Sequence, residues 1–161
     1  MKVLFSIVVS FLFLAAQELP DVRERYVTAS KTKQNAEQFY HLVSKYNGDN
    51  KTLLAYKGAG ISLKSKFEAD RKLRRDLFIE GVKLVENAVK KEPNNVEIRL
   101  IRLSIQENTP KLLKYKGNIE EDKKAIVAAY EKQSGDLKEN IQRYVKQSKV
   151  FTDKEKQQIL K

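Results

Sequence analysis

Apolar residues recur at helical spacing along most of the chain. In segment 71–91 they lie three or four positions apart, which is the repeat of one face of an α-helix. The predicted buried stripe of this segment comprises Leu77, Phe78, Gly81, Val82, Val85, Ala88 and Val89. No segment alternates apolar and polar residues long enough to indicate a β-strand. The pattern therefore predicts an all-α protein.

Capping residues and helix breakers divide this pattern into six to seven helices. Pro93 ends one of them, and either Asn94 or Asn95 is expected to cap the next. The polar stretch 31–35 could divide the first helix in two. The predicted helices span residues 21–46, 51–67, 71–91, 96–108, 119–133 and 137–149, with a last short helix that ends at residue 160.

The helix predicted over 96–108 is apolar on most of its sides, which is typical of a central helix. Three polar residues, Arg99, Arg102 and Gln106, share one narrow stripe of it. Arginine side chains can bind the carboxylates of a peptide in a groove. The same stripe could instead form internal salt bridges, for which the sequence offers Glu120, Glu121 and Asp122.

Pro110 ends this central helix, and segment 111–117 lacks a helical pattern. We predict a loop or irregular turn there. Its apolar side chains are expected to point into the core: Leu112, Leu113 and Tyr115.

Two glycines, Gly58 and Gly60, lie inside the helix predicted over 51–67. Each costs roughly 1 kcal/mol of helix propensity relative to alanine. A glycine inside a helix usually permits the close approach of a neighbour. The pair therefore predicts a tightly packed helix pair.

The first residues have the order of a secretory signal peptide. Lys2 is positively charged, segment 3–16 is almost wholly apolar, and this segment ends in Ala15 and Ala16. We predict a signal peptide over 1–17, cleaved near Ala16 or Gln17, and one domain over 18–161. An uncleaved anchor is the alternative. The protein is expected to be periplasmic or secreted, with that choice left open.

Charge and composition limit the classes of partner that are expected. The chain has no cysteine, and 32 basic against 21 acidic residues give a net charge of +11. Such a charge attracts anionic partners, of which nucleic acid is not expected for an exported protein. A basic patch is predicted at Lys64, Lys66, Arg71, Lys72, Arg74 and Arg75. It is either an anionic docking strip or a solvated connection between two helices.

Catalytic and metal-binding patterns are weak. His41 is the single histidine, and Glu37 is its one helical companion of ligand type, which does not make a zinc site. No nucleophile motif occurs, and no pair of acids is marked as that of a glycosidase. We therefore predict no catalytic residue, no metal, no cofactor and no enzymatic activity.

Part of the pattern resembles the tetratricopeptide repeat, a helix pair of about 34 residues with small residues where the helices touch and a proline at its end. The positions that carry the resemblance are Tyr56, Gly60, Gly81, Val85, Ala88 and Pro93. The connection 64–76 is longer than in the standard repeat, and Arg99 and Arg102 stand where large apolar residues are expected. The resemblance implies antiparallel helix pairs and binding through an extended surface.

The stretch 94–106, with Pro110, Tyr115 and segment 119–123 after it, also resembles a group of exported bacterial helical proteins without an assigned function. This resemblance implies a bacterial envelope protein and no reaction. The sequence thus favours a non-catalytic protein–protein interaction module that binds a protein or peptide of the cell envelope through Arg99, Arg102 and Gln106. The alternative is a basic adaptor for anionic envelope polymers, glycans or lipid head groups.

Overall fold

The structure is a computed structural model, which describes residues 19–161. Over this range the regular structure is helical, with no β-strand, so the all-α prediction is confirmed. The described residues form eight α-helices: α1 (19–29), α2 (Lys33–Ser44), α3 (Lys51–Lys66), α4 (Arg71–Lys91), α5 (Val96–Asn108), α6 (Ile119–Ala129), α7 (Gly135–Gln147) and α8 (Asp153–Ile159). Short 3-10 turns occupy Lys111–Leu113 and Tyr130–Lys132. The predicted signal peptide lies outside the described residues.

The helix count exceeds the predicted six to seven because the predicted helix over 21–46 is divided in two. Thr32 caps α2, since its hydroxyl accepts a 3.1 Å hydrogen bond from the Asn35 amide. The Asn35 side chain donates back to the carbonyl of Thr28, at 3.0 Å. The polar stretch 31–35 therefore makes a stable break between α1 and α2.

Glycines allow α3 to approach a helix on each side. A Cβ atom built on Gly58 would lie 2.5 Å from the carbonyl oxygen of Gly81 in α4. On Gly60 it would lie 2.7 Å from a methyl group of Val43 in α2. The predicted tight packing at Gly58 and Gly60 is thus confirmed, since neither contact leaves room for a side chain.

Helix α5 is shared by two hydrophobic clusters. The first cluster includes Phe39, Tyr56 and Val85 and receives Ile98, Ile101 and Ile105 from α5. The second is formed largely by α6, α7 and α8, and from α5 it receives Val96, Leu100 and Leu103. The central place predicted for this helix is confirmed by its burial on nearly every side.

A partly buried ion pair attaches α1 to α5. The guanidinium of Arg23 donates two hydrogen bonds to the Glu97 carboxylate, at 2.7 and 2.5 Å, and Tyr56 donates to the same carboxylate at 2.8 Å. Burial alone would lower the pKa of Arg23, but the hydrogen bonds and charge of Glu97, with those of Asp136, raise it overall. The arginine therefore stays charged, and the buried Glu97 keeps its partner.

The prediction for segment 111–117 is corrected at two residues. Leu112 and Leu113 are 88% and 40% exposed, although they were expected to point inward. The 3-10 turn Lys111–Leu113 turns them outward. Tyr115 is half-buried, with its ring against Phe78 and its hydroxyl bonded to Glu86. Among the described helices, none is long and apolar enough to cross a membrane.

Asn95, not Asn94, caps α5, and its loss is expected to be measurable. The Asn95 side chain accepts hydrogen bonds from the amides of Glu97 and Ile98 and donates to Thr52 at 3.1 Å. We expect Asn95→Ala to lower the free energy of unfolding by about 1–2 kcal/mol, measured by urea denaturation. Asn94→Ala is the control, because Asn94 is exposed. An equal loss in both variants would contradict the assignment of the cap.

Candidate ligand-binding cavity

The predicted polar stripe of α5 faces the protein interior. Arg99, Arg102 and Gln106 are 9%, 3% and 0% exposed. All three side chains point towards the N-terminal turns of α6, where Asp122 is fully buried. The stripe is therefore not a surface that an external peptide can reach.

Asp122 is the centre of this arrangement, which we call the Asp122 network. Its carboxylate accepts hydrogen bonds from Arg102 at 2.7 and 2.6 Å, from Arg99 at 2.9 Å, and from the amide of Gln106 at 3.2 Å. Burial acts to lower the pKa of Arg102, but Asp122, together with Glu86, raises it overall. The internal salt bridges that the sequence left open account for these side chains.

A large cavity lies elsewhere, between α1, α3, α4, α5 and α7. Its volume is about 760 Å³, which is within the range of about 300–1,000 Å³ usual for small-molecule sites. The turn after α5, including Leu112 and Leu113, forms part of its border. Because these leucines and several lining cations are exposed, this border is the mouth of the cavity.

The wall of the cavity is mainly apolar, with uncharged polar side chains among the apolar ones. Its apolar side chains include Val27, Tyr56, Leu63, Phe78, Leu100, Ile101 and Ile105. Two tyrosine hydroxyl groups in the wall bond to protein partners: Tyr26 with Ser104 at 2.7 Å, and Tyr56 with Glu97. The hydroxyl of Ser62, which also lines the cavity, has no hydrogen-bond partner among the described residues. Burial raises the pKa of Tyr26 to about 12, so its phenol is neutral at physiological pH. Away from the lining cations, the wall thus offers mainly hydrocarbon surface.

The charged residues that line the cavity are all basic. The lining cations, which we call the basic rim, are Lys66, Arg71, Arg74, Arg75 and Arg143. None of the described residues that line the cavity is Asp, Glu or His. Because opposite charges are absent from the lining, the mouth is an attractive site for an anion.

Four members of the predicted basic patch belong to this rim, and two do not. Lys64 lies over the ring of Tyr40, with its ammonium nitrogen 4.3 Å from the ring centre. Lys72 pairs with Asp76 at 2.7 Å on the exposed side of α4. The patch is therefore divided between the cavity mouth and the outer surface.

The rim cations differ in how they are held. Arg74 donates to the carbonyl of Glu68 at 2.8 Å, and Lys66 to that of Ser30 at 3.2 Å. Arg143 pairs with Glu24 at 2.7 Å. Within residues 19–161, no carboxylate pairs with Arg71 or Arg75. These two guanidinium groups can therefore bind an external anion without breaking an existing ion pair.

Metal-binding groups are not gathered in the described part of the chain. No cluster of three or more His, Cys, Asp or Glu residues that could hold a metal ion occurs there. His41 is exposed on α2 and contacts the ring of Tyr40, away from the cavity. The charged groups that line the cavity are all guanidinium or ammonium groups, which can bind an anion.

Sequence reasoning missed the cavity itself and one member of its rim. Arg143 is about seventy residues from Arg71 along the chain, and no local pattern connects them. The wall residues carry no separate signal either, because a side chain such as Ile101 has the same helical periodicity in a packed core and in a cavity wall. Among the residues that line the cavity, the rim cations of segment 64–76 were predicted from sequence as part of a basic patch, because basic residues are concentrated there.

These features define a class of protein: a helical protein with an apolar cavity that opens through a basic rim. Comparisons with protein-family models, curated proteins and solved structures find no match to this chain. The function is therefore argued from the geometry of the cavity.

Proposed function

We propose that the chain is a non-catalytic binding protein for a single-chain anionic amphiphile such as a fatty acid. The apolar chain of the ligand occupies the cavity, and its anionic head group lies at the basic rim. The single observation that carries this proposal is the combination of an apolar wall with a mouth lined by five cations. It is the lipid-binding form of the basic adaptor that the sequence offered as its alternative.

Two physical terms favour such a ligand. Burial of apolar surface stabilises a complex by roughly 25 cal/mol per Å² removed from water. At the mouth, guanidinium groups bind carboxylates through paired, charge-assisted hydrogen bonds. Arg71 and Arg75 are the most available groups for this role, since both are exposed and lack a carboxylate partner in the described residues.

Other ligands fit these features less well. A glycan would leave unpaired those hydroxyl groups that lie against the apolar side chains of the wall, which costs free energy for each group. A peptide bound by Arg99, Arg102 and Gln106, the leading expectation from sequence, would have to displace the buried Asp122. A peptide with an apolar, acidic end that enters the cavity is the remaining protein partner, and it is an outcome of the test below.

The setting of this activity is also proposed. We propose that the protein acts in the cell envelope after removal of the signal peptide predicted over 1–17. We further propose that its helices form antiparallel, tetratricopeptide-like pairs. The close contact of Gly58 with Gly81 supports the pairing, because the repeat places small residues where two helices touch.

Titration with palmitic acid tests the binding proposal, with hexadecanol as the uncharged ligand of equal chain length. We expect palmitic acid to bind more tightly than hexadecanol. The double variant Arg71→Glu, Arg75→Glu is expected to raise the dissociation constant for palmitic acid by about ten- to a hundredfold, because it removes two charge-assisted contacts. Isothermal titration calorimetry gives both dissociation constants.

The matched control is Lys64→Glu, Lys72→Glu, which changes the net charge equally but lies outside the cavity. Equal weakening in both double variants would show that only the overall charge acts. A second variant, Val27→Trp, adds bulk to the apolar wall and is expected to abolish the binding of both ligands. Failure of palmitic acid to bind, with capture of an acidic peptide instead, would refute the proposed ligand.

A further inference from the structure

Leu112 is the most exposed large hydrophobic residue in the described part of the chain. At 88% it is far more exposed than Leu73, the next such residue, at 46%. Its neighbour Leu113 is also exposed, and both leucines line the mouth of the cavity. Two adjacent exposed leucines at a ligand entrance indicate an interaction surface more strongly than a scattered apolar residue does.

The backbone holds Leu112 outward. Lys111–Leu113 forms a 3-10 turn that ends at Lys114, whose φ of 51° lies in the left-handed region. Lys114 is the one non-glycine residue with positive φ among those described. Such a conformation is costly for a residue with a side chain, so it persists only where the surrounding structure enforces it.

Anchors on both sides enforce the turn. Before it, the Thr109 hydroxyl donates to the carbonyl of Ile105 at 2.7 Å. After it, the ring of Tyr115 contacts Phe78, and the Lys116 ammonium donates to the carbonyls that end α5. The exposure of Leu112 is thus a property of the folded chain, because the segments that flank the turn are tied to the helices.

The charge around the leucines is positive. Lys111 and Lys114 flank them and are exposed, and the basic rim lines the same cavity as the two leucines. An apolar side chain surrounded by cations is complementary to a bilayer that contains anionic lipids, because the side chain enters the acyl boundary while the cations contact the head groups. It is less suited to a second copy of this chain, which would present the same positive charge.

We infer that the exposed turn at Leu112 docks on the surface of an anionic membrane, so that the cavity mouth opens towards the lipids. This inference rests on the proposed function, since it supplies the route by which an amphiphile enters the cavity. Leu112 and Leu113 insert at the level of the head groups, and Lys111 and Lys114 pair with lipid phosphates. The contact is reversible, because two leucines bury much less surface than an anchoring helix.

Tryptophan fluorescence tests the inference directly, because the chain contains no tryptophan. In the Leu112→Trp variant, the emission is expected to shift to shorter wavelength on vesicles of phosphatidylcholine with phosphatidylglycerol. Little shift is expected on phosphatidylcholine alone, since tryptophan enters the interface only where the cations bring the turn to it. The matched control is Leu42→Trp, an exposed position on α2 away from the cavity, where no shift is expected.

The flanking lysines give the second measurement. In the Leu112→Trp chain, we expect the added substitutions Lys111→Glu and Lys114→Glu to raise the lipid concentration that gives half of the emission shift by about tenfold or more. The added pair Lys124→Glu, Lys154→Glu makes the same change of charge on exposed residues of α6 and α8 and is expected to have a much smaller effect.

Three outcomes would overturn the docking surface: unchanged emission on anionic vesicles, an equal shift in Leu42→Trp, or a shift that rises with protein concentration without lipid. The last would mean that a second copy occupies the turn. Palmitic acid binding without any vesicle-induced shift would refute the docking surface alone. A shift on anionic vesicles without palmitic acid binding would instead refute the proposed ligand.

Discussion

Replacing Asp122 with alanine is expected to lower the free energy of unfolding by about 3–5 kcal/mol, because it leaves buried arginines without their main partner. The Asp122 carboxylate is fully buried and accepts from Arg99, Arg102 and Gln106. After the change, Arg102 would retain only the half-buried Glu86 at 3.0 Å and the exposed Glu121 at 3.6 Å. Urea denaturation measures the difference.

An exposed acid of the same helix is the control for this prediction. Glu120 pairs with Lys123 at 3.0 Å and is 68% exposed, so Glu120→Ala is expected to change stability by less than about 1 kcal/mol. Asp122→Asn keeps the shape but removes the charge, and an intermediate loss is expected. A loss below about 1 kcal/mol for Asp122→Ala would mean that the network contributes little to stability.

Gly81→Ala is expected to destabilise the protein, although alanine has the higher helix propensity. A Cβ atom on Gly81 would lie 2.3 Å from the Ser62 hydroxyl and 2.5 Å from the carbonyl oxygen of Gly58. Since the second contact is with backbone, α3 and α4 must move apart. We expect a loss of about 1–3 kcal/mol from this overpacking, measured by urea denaturation or as a lower Tm.

The sign of the change in unfolding free energy distinguishes overpacking from helix propensity. Without a clash, the substitution would stabilise α4 by about 1 kcal/mol through its propensity. Gly117→Ala is the matched control, because a Cβ atom there has no neighbour within 4 Å and a neutral or slightly stabilising effect is expected. A more stable Gly81→Ala variant would show that the two helices are not in the close contact described.

Ser62 gives a further check on the same contact. Its hydroxyl is the one buried side-chain oxygen or nitrogen in the described residues without a hydrogen-bond partner, and it lies against Gly81. Adding Ser62→Ala to Gly81→Ala removes the nearest side-chain contact but leaves the Gly58 carbonyl in place. Only part of the lost stability is therefore expected to return.

Asp122→Ala and Gly81→Ala change residues outside the cavity lining, so these two single substitutions test stability separately from binding; Ser62 does line the cavity. Gly81 and Asp122 do not line the cavity, whereas Arg71 and Arg75 do. The rim arginines are exposed, and their replacement is expected to alter ligand affinity with little change in stability. This contrast is what allows a loss of palmitic acid binding to be assigned to the mouth of the cavity.

The sequence by itself determined the helical class and most helix ends, because these depend on residues a few positions apart. The 3.6-residue period predicted α4 and the burial of Phe78, Val85 and Ala88. Asn94 or Asn95 was expected to cap the helix after Pro93, and the Asn95 side chain accepts from the Ile98 amide at 3.2 Å. Gly58 and Gly60 indicated close packing without naming the partner helices.

Only the tertiary structure decided which distant residues meet. The choice between a peptide groove and internal salt bridges for Arg99 and Arg102 depended on where Asp122 lies, and the packing of α6 on α5 settles it. The outward direction of Leu112 and the place of Arg143 at the rim follow from the same packing. Periodicity identifies the apolar face of a helix, but the space left between several such faces depends on how all of them pack, and that space is the cavity.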